Sequence, residues 1–183
     1  MANLLGGMNS NAKTIKGLDA AGIEGVILYL AAADSVSEAL GKRVTVCPWA
    51  DGCEKPCLVG AGRGRMSPVQ KGRQRKTLLF FQDRPAFMAQ LRRELGSLVK
   101  RAAKKGLKPT ARLDGTSDLG LDVKLAPEFP AIQFYGYTKS EKRVMDWLKG
   151  TRGNRHYTFS RSAGNWDACQ RVLEAGGNVA VVS

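Results

Sequence analysis

Residues 131–162 read AIQFYGYTKSEKRVMDWLKGTRGNRHYTFSRS, and this stretch decides the fold class. AIQFYGY (131–137) and HYTFSRS (156–162) have the aromatic-rich composition of strands. Between them, SEKRVMDWLKG (140–150) has the apolar spacing of an amphipathic helix. A strand, a helix and a strand at this separation predict a right-handed crossover between two parallel neighbours.

The same alternation extends in both directions from this unit. LKPTARLDG (107–115) and NVAVVS (178–183) are predicted strands, and NWDACQRVLEAGG (165–177) is a predicted helix. Closer to the N-terminus, the pattern predicts a buried strand, a short helix that ends at Gly41 and a brief strand, in the order GVILYLAAA (25–33), SVSEALGKR (35–43) and VTV (44–46).

A chain of 183 residues fits one domain with a core of its own. We therefore predict a single α/β domain over residues 1–183 with a parallel sheet, either a partial (β/α) barrel or an open doubly wound sheet. The Gly- and Asn-rich segment 1–25 is expected to be irregular.

Positive charge is concentrated in one segment of the chain. The formal net charge is +13, and residues 63–112 hold 15 Lys or Arg against Asp83 and Glu94 alone. The rest of the chain carries 14 basic and 14 acidic residues, so the whole excess lies in this segment. Within it, Ser67-Pro68 and Asp83 to Pro85 mark two helix starts, and Gly106 marks an end, which predicts a basic helical segment over 67–106.

A basic surface of this size attracts polyanions, of which nucleic acid is the usual one in a cell. The expected partner is DNA or RNA, or a host complex that handles nucleic acid. The alternative interpretation is a solvated helical face that confers only solubility. The candidate phosphate-binding residues are Arg63, Arg65, Lys71, Arg73, Arg75, Lys76, Arg92, Arg93, Lys100, Arg101, Lys104 and Lys105.

A glycine-rich stretch, LVGAGRGRMS, precedes the first basic helix. Its glycines would let the backbone approach a phosphate while Arg63 and Arg65 contact it, although the GK[ST] ending of a P-loop is missing. Candidates for stacking on bases are Trp49, Phe80, Phe81, Tyr135 and Tyr137, and a place in the core is the alternative for Phe80 and Phe81.

Polar clusters follow three of the predicted strands. In parallel α/β proteins ligands bind beyond the C-terminal ends of the strands, so these clusters predict a strand-end pocket, although helix capping explains each cluster alone equally well. The candidate pocket residues are Asp114, Thr116, Ser117, Asp118, Tyr137, Lys139, Ser160, Arg161, Ser162 and Asn165.

Three of the four cysteines lie in the cysteine and glycine loop 46–66. Cys47, Cys53 and Cys57 have the spacing C-x5-C-x3-C, which fits three thiolate ligands of a [4Fe–4S] cluster. Zinc is the alternative metal and would need a fourth ligand from His156 or Cys169. A third interpretation is a compact loop with three reduced thiols and no metal. Cys169 is expected in the core because its predicted helix places it among apolar positions.

No window of about 18 uninterrupted apolar residues is present, and the N-terminus lacks the pattern of a secretory signal. The expected location is the cytoplasm, of a host cell if the chain is encoded by a phage.

Several segments in fixed order resemble one family. VCPWADGC, GRGRMSPVQKGRQRKTLLFFQDR, RLDGTSD, FPAIQFYGYTK, YTFSRS and AGGNVAVVS are similar to a group of phage and plasmid proteins labelled gene product eighty-eight, from about Asn11 to Val182. The resemblance implies an origin in a phage or mobile element and implies no particular reaction. Relatives usually have an amide where Asp114 stands and an acidic residue where Gly136 stands.

The cysteine loop also resembles, more distantly, the cluster-binding loop of radical S-adenosylmethionine enzymes, although their C-x3-C-x2-C spacing is not the one found here. Two functional hypotheses follow. The first is a protein that binds nucleic acid, or blocks a host nucleic-acid machine, through the 63–112 surface. The second is an iron–sulfur enzyme that uses S-adenosylmethionine to modify a nucleic acid or nucleotide.

Overall fold

The computed structural model describes residues 3–8, 21–53, 62–150 and 152–181. The strands are β1 (Leu5–Gly7), β2 (Ile23–Leu28), β3 (Lys108–Arg112), β4 (Gln133–Thr138), β5 (Arg155–Ser160) and β6 (Asn178–Ala180). The α-helices are α1 (Ser37–Leu40), α2 (Ser67–Gln82), α3 (Arg84–Lys105), α4 (Leu121–Leu125), α5 (Glu141–Lys149) and α6 (Trp166–Glu174), and a 3-10 helix spans Gly62–Arg65.

The six strands form one sheet in which their spatial order is their order in the chain. Strands β2 to β6 are parallel, and β1 pairs antiparallel with β2 at the edge. The predicted α/β class and parallel sheet are confirmed. Because the strand order never reverses, right-handed crossovers bring the helices to one face, as in a partial barrel, and the sheet stays open.

The main core lies between this face of the sheet and the helices. Alternate strand residues such as Leu28, Ala111 and Phe134 pack against Phe87 and Leu91 of α3. A second cluster joins Val144, Trp147, Cys169 and Val172 of α5 and α6 to Tyr157 and Phe159 of β5. Cys169 has no exposed surface, which confirms its predicted place in the core.

The opposite face of the sheet carries the intervening strand residues, and we call it the open face. In-register pairs place Ile27 beside Arg112, Tyr135 beside His156 and Tyr137 beside Thr158 on this face. Among the described residues, the hydrophobic cluster on this face consists of Met8, which follows β1, together with Ile23, Ile27, Tyr29 and Tyr135 of β2, its extension and β4. Gly25 lies under Met8, where any side chain would collide with the methionine sulfur.

The basic segment contains two helices, as the helix signals predicted. The Asp83 side chain accepts a hydrogen bond from the Ala86 N–H at 2.9 Å and caps α3. Gly106 ends α3 in the left-handed region with φ 65°, where a glycine is favoured.

Two local predictions differ from the structure. Part of the segment 1–25 is regular, because Leu5–Gly7 forms β1 and β2 begins at Ile23. Residues 44–46 form no strand: the Val46 N–H donates to the Ala33 carbonyl at 3.0 Å, and the Val46 carbonyl accepts from Asp118 N–H at 2.8 Å. Two loops therefore use the backbone groups of Val46 that a strand partner would have taken.

Within the described ranges, none of the helices combines the length and the apolar character that crossing a bilayer requires.

Candidate functional site

A cleft of about 160 Å³ lies at the C-terminal ends of β2 to β5, and we call it the strand-end cleft. Residues 47–53 of the cysteine loop form one wall, and the loops after β3, β4 and β5 form the other. Its lining residues are Ala33, Cys47, Trp49, Ala50, Cys53, Arg112, Asp114, Gly115, Thr116, Ser117, Asp118, Tyr137, Thr138, Lys139 and Ser160.

Contacts to two other loops hold the cysteine loop over the strand ends. On one side the Cys47 sulfur lies 3.8 Å from the Thr116 carbonyl oxygen, to which it donates a weak hydrogen bond. On the other side the Ser162 hydroxyl donates to the Asp51 carboxylate. Asp51 has φ 44° and Gly52 has φ 76°, so a left-handed turn directs the loop toward Ser162. The cleft therefore exists only when these loops are in place.

The two carboxylates of the cleft are engaged in internal hydrogen bonds. Asp114 is buried and accepts from Ser117 Oγ at 2.7 Å, from the Leu119 N–H at 3.0 Å and from the Gly120 N–H at 2.8 Å. Asp118 is buried too, and its Oδ2 accepts from Thr138 Oγ1 and from the backbone N–H of the next residue, both at 3.0 Å. Asp114 and Asp118 thus order the loops and present little free carboxylate to a ligand.

Arg143 of α5 offsets one of these two negative charges. Its Nη1 donates to Asp118 Oδ1 at 2.5 Å and to Thr138 Oγ1 at 3.2 Å, and it lies 3.9 Å from Asp114 Oδ2. The guanidinium covers Gly120, where a Cβ would lie 2.8 Å from the Arg143 Cζ atom. Gly120 has φ 68°, so a glycine is favoured there for two separate reasons.

The charges left to face the cleft are positive. Arg112 Nε donates to the Asp114 backbone carbonyl at 3.2 Å, and its guanidinium lies 4.9 Å from the centre of the Tyr137 ring. Lys139 is the second cation, and Tyr137 and Trp49 are exposed aromatic rings at the rim. The cleft is therefore suited to an anionic ligand that carries a flat group.

Seven of the ten predicted pocket residues meet in this cleft: Asp114, Thr116, Ser117, Asp118, Tyr137, Lys139 and Ser160. The other three do not line it. Arg161 lies over the Trp166 ring at 5.4 Å, Asn165 donates to the Ser160 carbonyl at 3.0 Å, and the Ser162 N–H donates to Asn165 Oδ1 at 2.7 Å. Asn165 and Ser162 thus order the turn before α6, although the Asn165 side chain does not cap the helix.

Cys47 and Cys53 line the cleft, whereas Cys57 lies outside the described residues. The described ranges contain no group of three Cys, His, Asp or Glu side chains placed to hold one ion. His156 is the second residue of β5 and lies roughly 13 Å of strand away from Ser160 at the cleft. Cys169 lies on the buried face of α6. A zinc ion at the cleft would therefore need a fourth ligand other than these two.

Some cations of the predicted basic surface contact other parts of the protein, and the others are exposed to solvent. Lys76 is not part of the exposed surface, because its Nζ donates to the Leu4 carbonyl at 2.6 Å and burial lowers the pKa of its ammonium group. Arg73 also turns inward and lies 5.2 Å from the centre of the Tyr29 ring. Both side chains are half-buried, and a role for either in phosphate binding stays a prediction.

Three further cations are paired with acidic residues distant in sequence. Arg92 makes two hydrogen bonds to Glu128, at 2.6 and 2.7 Å. Arg101 and Lys105 lie 3.5 and 3.0 Å from the two oxygens of Glu24, and the hydrogen bond from Lys105 is the largest of the effects that lower the Glu24 pKa. These pairs neutralise part of the charge of α3.

The remaining predicted cations are exposed, and no acidic residue in the described ranges pairs with them. Arg93, Lys100 and Lys104 recur at helical spacing along one face of α3, and Lys71 and Arg75 are one turn apart on α2. Arg65 is exposed as well, and the side chain of Arg63 lies outside the description.

Beneath the cleft, a carboxyl–phenol pair joins α4 to β5. The Tyr157 hydroxyl donates to the buried Asp122 carboxylate. Burial raises the pKa of Asp122 above its ordinary value, and burial together with the neighbouring carboxylate raises the pKa of Tyr157. This pair supports the floor of the site and does not line the cleft.

Sequence reasoning did not assign Arg112 and Arg143 to the pocket. Arg143 had no local signal, because it is one of several cations in the predicted helix SEKRVMDWLKG and only the fold brings it to Asp118. Arg112 was findable, since it opens the segment RLDGTSD and lies two residues before Asp114.

Residues 4–183 match the protein family described as Gene product 88. No curated protein and no solved structure matches the chain at a significant level. The match covers nearly the whole chain and confirms the family resemblance seen in the sequence, whereas nothing in the match supports a radical S-adenosylmethionine enzyme. The chain belongs to the gene product 88 family, a phage-type family.

Proposed function

We propose that this protein binds nucleic acid through the exposed cations of α2 and α3, either to hold the nucleic acid or to block a host complex that handles it. The observation that supports the proposal best is the stripe formed by Arg93, Lys100 and Lys104 on α3. All three side chains are exposed, and no described acidic residue pairs with any of them.

The spacing of the stripe suits a polyanion. Arg93 and Lys104 are eleven residues apart, which is about 16 Å along the helix axis. A duplex presents one phosphate charge per roughly 1.7 Å of its axis, so a helix laid along a strand meets several phosphates over this length. Like charges on one helix face repel each other and cost stability, and a polyanion would remove that cost.

The test is the salt dependence of binding to a fluorescein-labelled DNA duplex, measured by anisotropy. A triple variant, R93Q/K100Q/K104Q, removes the stripe and leaves the ion pairs to Glu24 and Glu128 intact. Each lost phosphate contact lowers the slope of log K against log salt by about 0.9, so the slope should fall by about 2.7.

A matched control removes the same amount of charge elsewhere. The triple variant K42Q/K124Q/K149Q changes exposed cations outside α2 and α3 that pair with no described acidic residue, and it gives the same net charge. This control should keep most of the wild-type slope. Equal losses in both triple variants would show that only net charge matters, and a salt-independent wild-type affinity would refute the proposal.

The second candidate function is a metal-dependent enzyme, and it is favoured by the placement of Cys47 and Cys53 in one cleft at the C-terminal edge of a parallel sheet. With Cys57 as third ligand, these thiolates would hold a [4Fe–4S] cluster whose fourth iron position stays open to a ligand such as S-adenosylmethionine. The two described cysteines fit such a cluster as donors, and Arg112 and Lys139 would lie beside it. Zinc is the alternative metal.

Anaerobic purification with metal analysis separates these alternatives. A cluster gives a brown protein that absorbs at roughly 400 nm and contains iron and sulfide in equal amounts. C53S should lose the metal, whereas C169A, in the core under α6, should keep it. A colourless wild-type protein that is folded and free of iron and zinc would refute the metal site.

A further inference from the structure

The geometry points to the open face of the sheet as a platform for single-stranded nucleic acid, with bases stacked on tyrosine rings and phosphates held by arginines at both ends. This inference rests on the proposed function and adds to it a second surface, which distinguishes a single strand from a duplex.

Tyrosines of β4 supply the middle of the platform. Tyr135 and Tyr137 are two positions apart on the same strand, so both rings lie on the open face about 7 Å apart. Tyr137 is 44% exposed, and Tyr135 is half-buried beside Met8. Rings of this kind accept stacked bases regardless of sequence, because every base has an aromatic face.

A cationic groove lies at the N-terminal end of the platform. It is lined by Met8, Ile23, Thr110, Gln133, Tyr135, Trp147, Arg152, Arg155 and His156. Arg152 lies 5.2 Å from the centre of the Trp147 ring, and His156 contacts the same ring edge-on at 5.2 Å. The groove carries the Arg152 guanidinium and the His156 imidazole, and no carboxylate is among its lining residues.

The strand-end cleft lies at the other end of the same strand. Tyr135 lines the groove and Tyr137 lines the cleft, so the two depressions are joined along β4. At the cleft Arg112 lies over Tyr137, and the carboxylates there are already bonded internally. A single strand laid along β4 would therefore meet cations at both ends and aromatic rings between them.

A duplex does not fit this arrangement. Its bases are paired and stacked inside the helix, so tyrosines on a sheet surface cannot reach their faces. The exposed stripe of α3 contacts phosphates alone and accepts either form. The two surfaces therefore make separable predictions.

The experiment measures binding of labelled oligo(dT) and oligo(U) single strands of about 12 nucleotides and compares it with binding of a duplex of equal length. Y137L keeps the apolar volume and removes the ring, and Y137F keeps the ring. We expect Y137L to weaken single-strand binding roughly tenfold, as loss of one base stack does, and to leave duplex binding unchanged. Y137F should bind like the wild type. Y135L serves as a second ring variant, and R152Q should lower the salt slope for the single strand by about 0.7.

The outcomes separate the two proposals. The platform would be overturned if Y137L and Y135L both bound single strands with wild-type affinity, or if they lost equal affinity for single strand and duplex. Neither result would affect the proposal for the α3 surface. If the α3 triple variant keeps both its duplex binding and its tyrosine-dependent single-strand binding, the α3 surface is refuted and the platform is supported. A preference for U over dT would identify RNA as the ligand, and the reverse would identify DNA.

Discussion

Arg143→Met should destabilise the protein more than substitution of an exposed α5 cation does, because it removes the half-buried counter-charge of Asp118 in the loop after β3. In the folded protein Arg143 bonds Asp118 at 2.5 Å and the Asp118 carbonyl at 3.2 Å. The side chains of Arg143 and Asp118 are only 14% and 12% exposed. Methionine fills part of the same volume and leaves the carboxylate without its counter-charge.

The magnitude follows from burial. Removing one partner of a buried ion pair costs about 3–5 kcal/mol of unfolding free energy, because the other charge stays desolvated. Since Asp118 keeps bonds from Thr138 Oγ1 and the Lys139 N–H, we expect the lower end, about 3 kcal/mol. For a domain of this size, such a loss lowers Tm by roughly 6–12 °C.

Urea unfolding followed by circular dichroism measures this difference. A double-mutant cycle with D118N isolates the pair, and the double variant should recover about 1–3 kcal/mol relative to the sum of the single losses. K142M is the matched control on the same helix, because Lys142 pairs with Asp146 in full solvent exposure. That pair is worth at most about 0.5 kcal/mol.

The reasoning would be refuted by a loss in R143M below about 1 kcal/mol, or by single losses that simply add. Either result would mean that Asp118 is solvated in the folded protein and that Arg143 does not order the cleft.

Three further predictions concern the loops and the floor beneath the cleft. D114A should lose about 3 kcal/mol in urea unfolding and D114N about 1 kcal/mol, because an amide keeps the bonds to one oxygen and loses the bond from Gly120. Burial raises the Asp122 pKa in the folded state, so the free energy of unfolding should fall as pH rises from the ordinary pKa of 3.8 through the raised value. D122N keeps an acceptor for Tyr157 and should lack this pH dependence when its unfolding is measured beside that of the wild type. G115A should lower Tm, because its methyl group would lie 2.7 Å from a carbonyl oxygen of β2; an unchanged Tm would show that the strand ends are more widely spaced.

Much of the fold was predictable because its signals are local. The helix starts at Ser67-Pro68 and Asp83, the end at Gly106 and the alternation of strands and helices after residue 107 depend on neighbours in sequence. The strand-end cleft was predictable in part, since parallel strands must end at one edge. The sequence did not predict which residues line the cleft, because polar residues after a strand can either cap a helix or line a pocket.

The basic surface shows the limit of sequence reasoning. Arg92 and Arg93 are adjacent and identical in kind, yet Arg92 pairs with Glu128 and Arg93 stays exposed. No local pattern distinguishes them, because Glu128 is 36 residues away. The sequence did not indicate the open face either, because GVILYL is apolar throughout, which is typical of a strand covered on both faces.

The sequence by itself determined the α/β class, the family and the concentration of positive charge in residues 63–112, because composition and periodicity act over a few residues. The tertiary structure decided which of those charges remain exposed, which carboxylates are already bonded and which face of the sheet carries the tyrosines. Those outcomes depend on desolvation and on contacts between residues distant in the chain, and both exist only once the chain has folded.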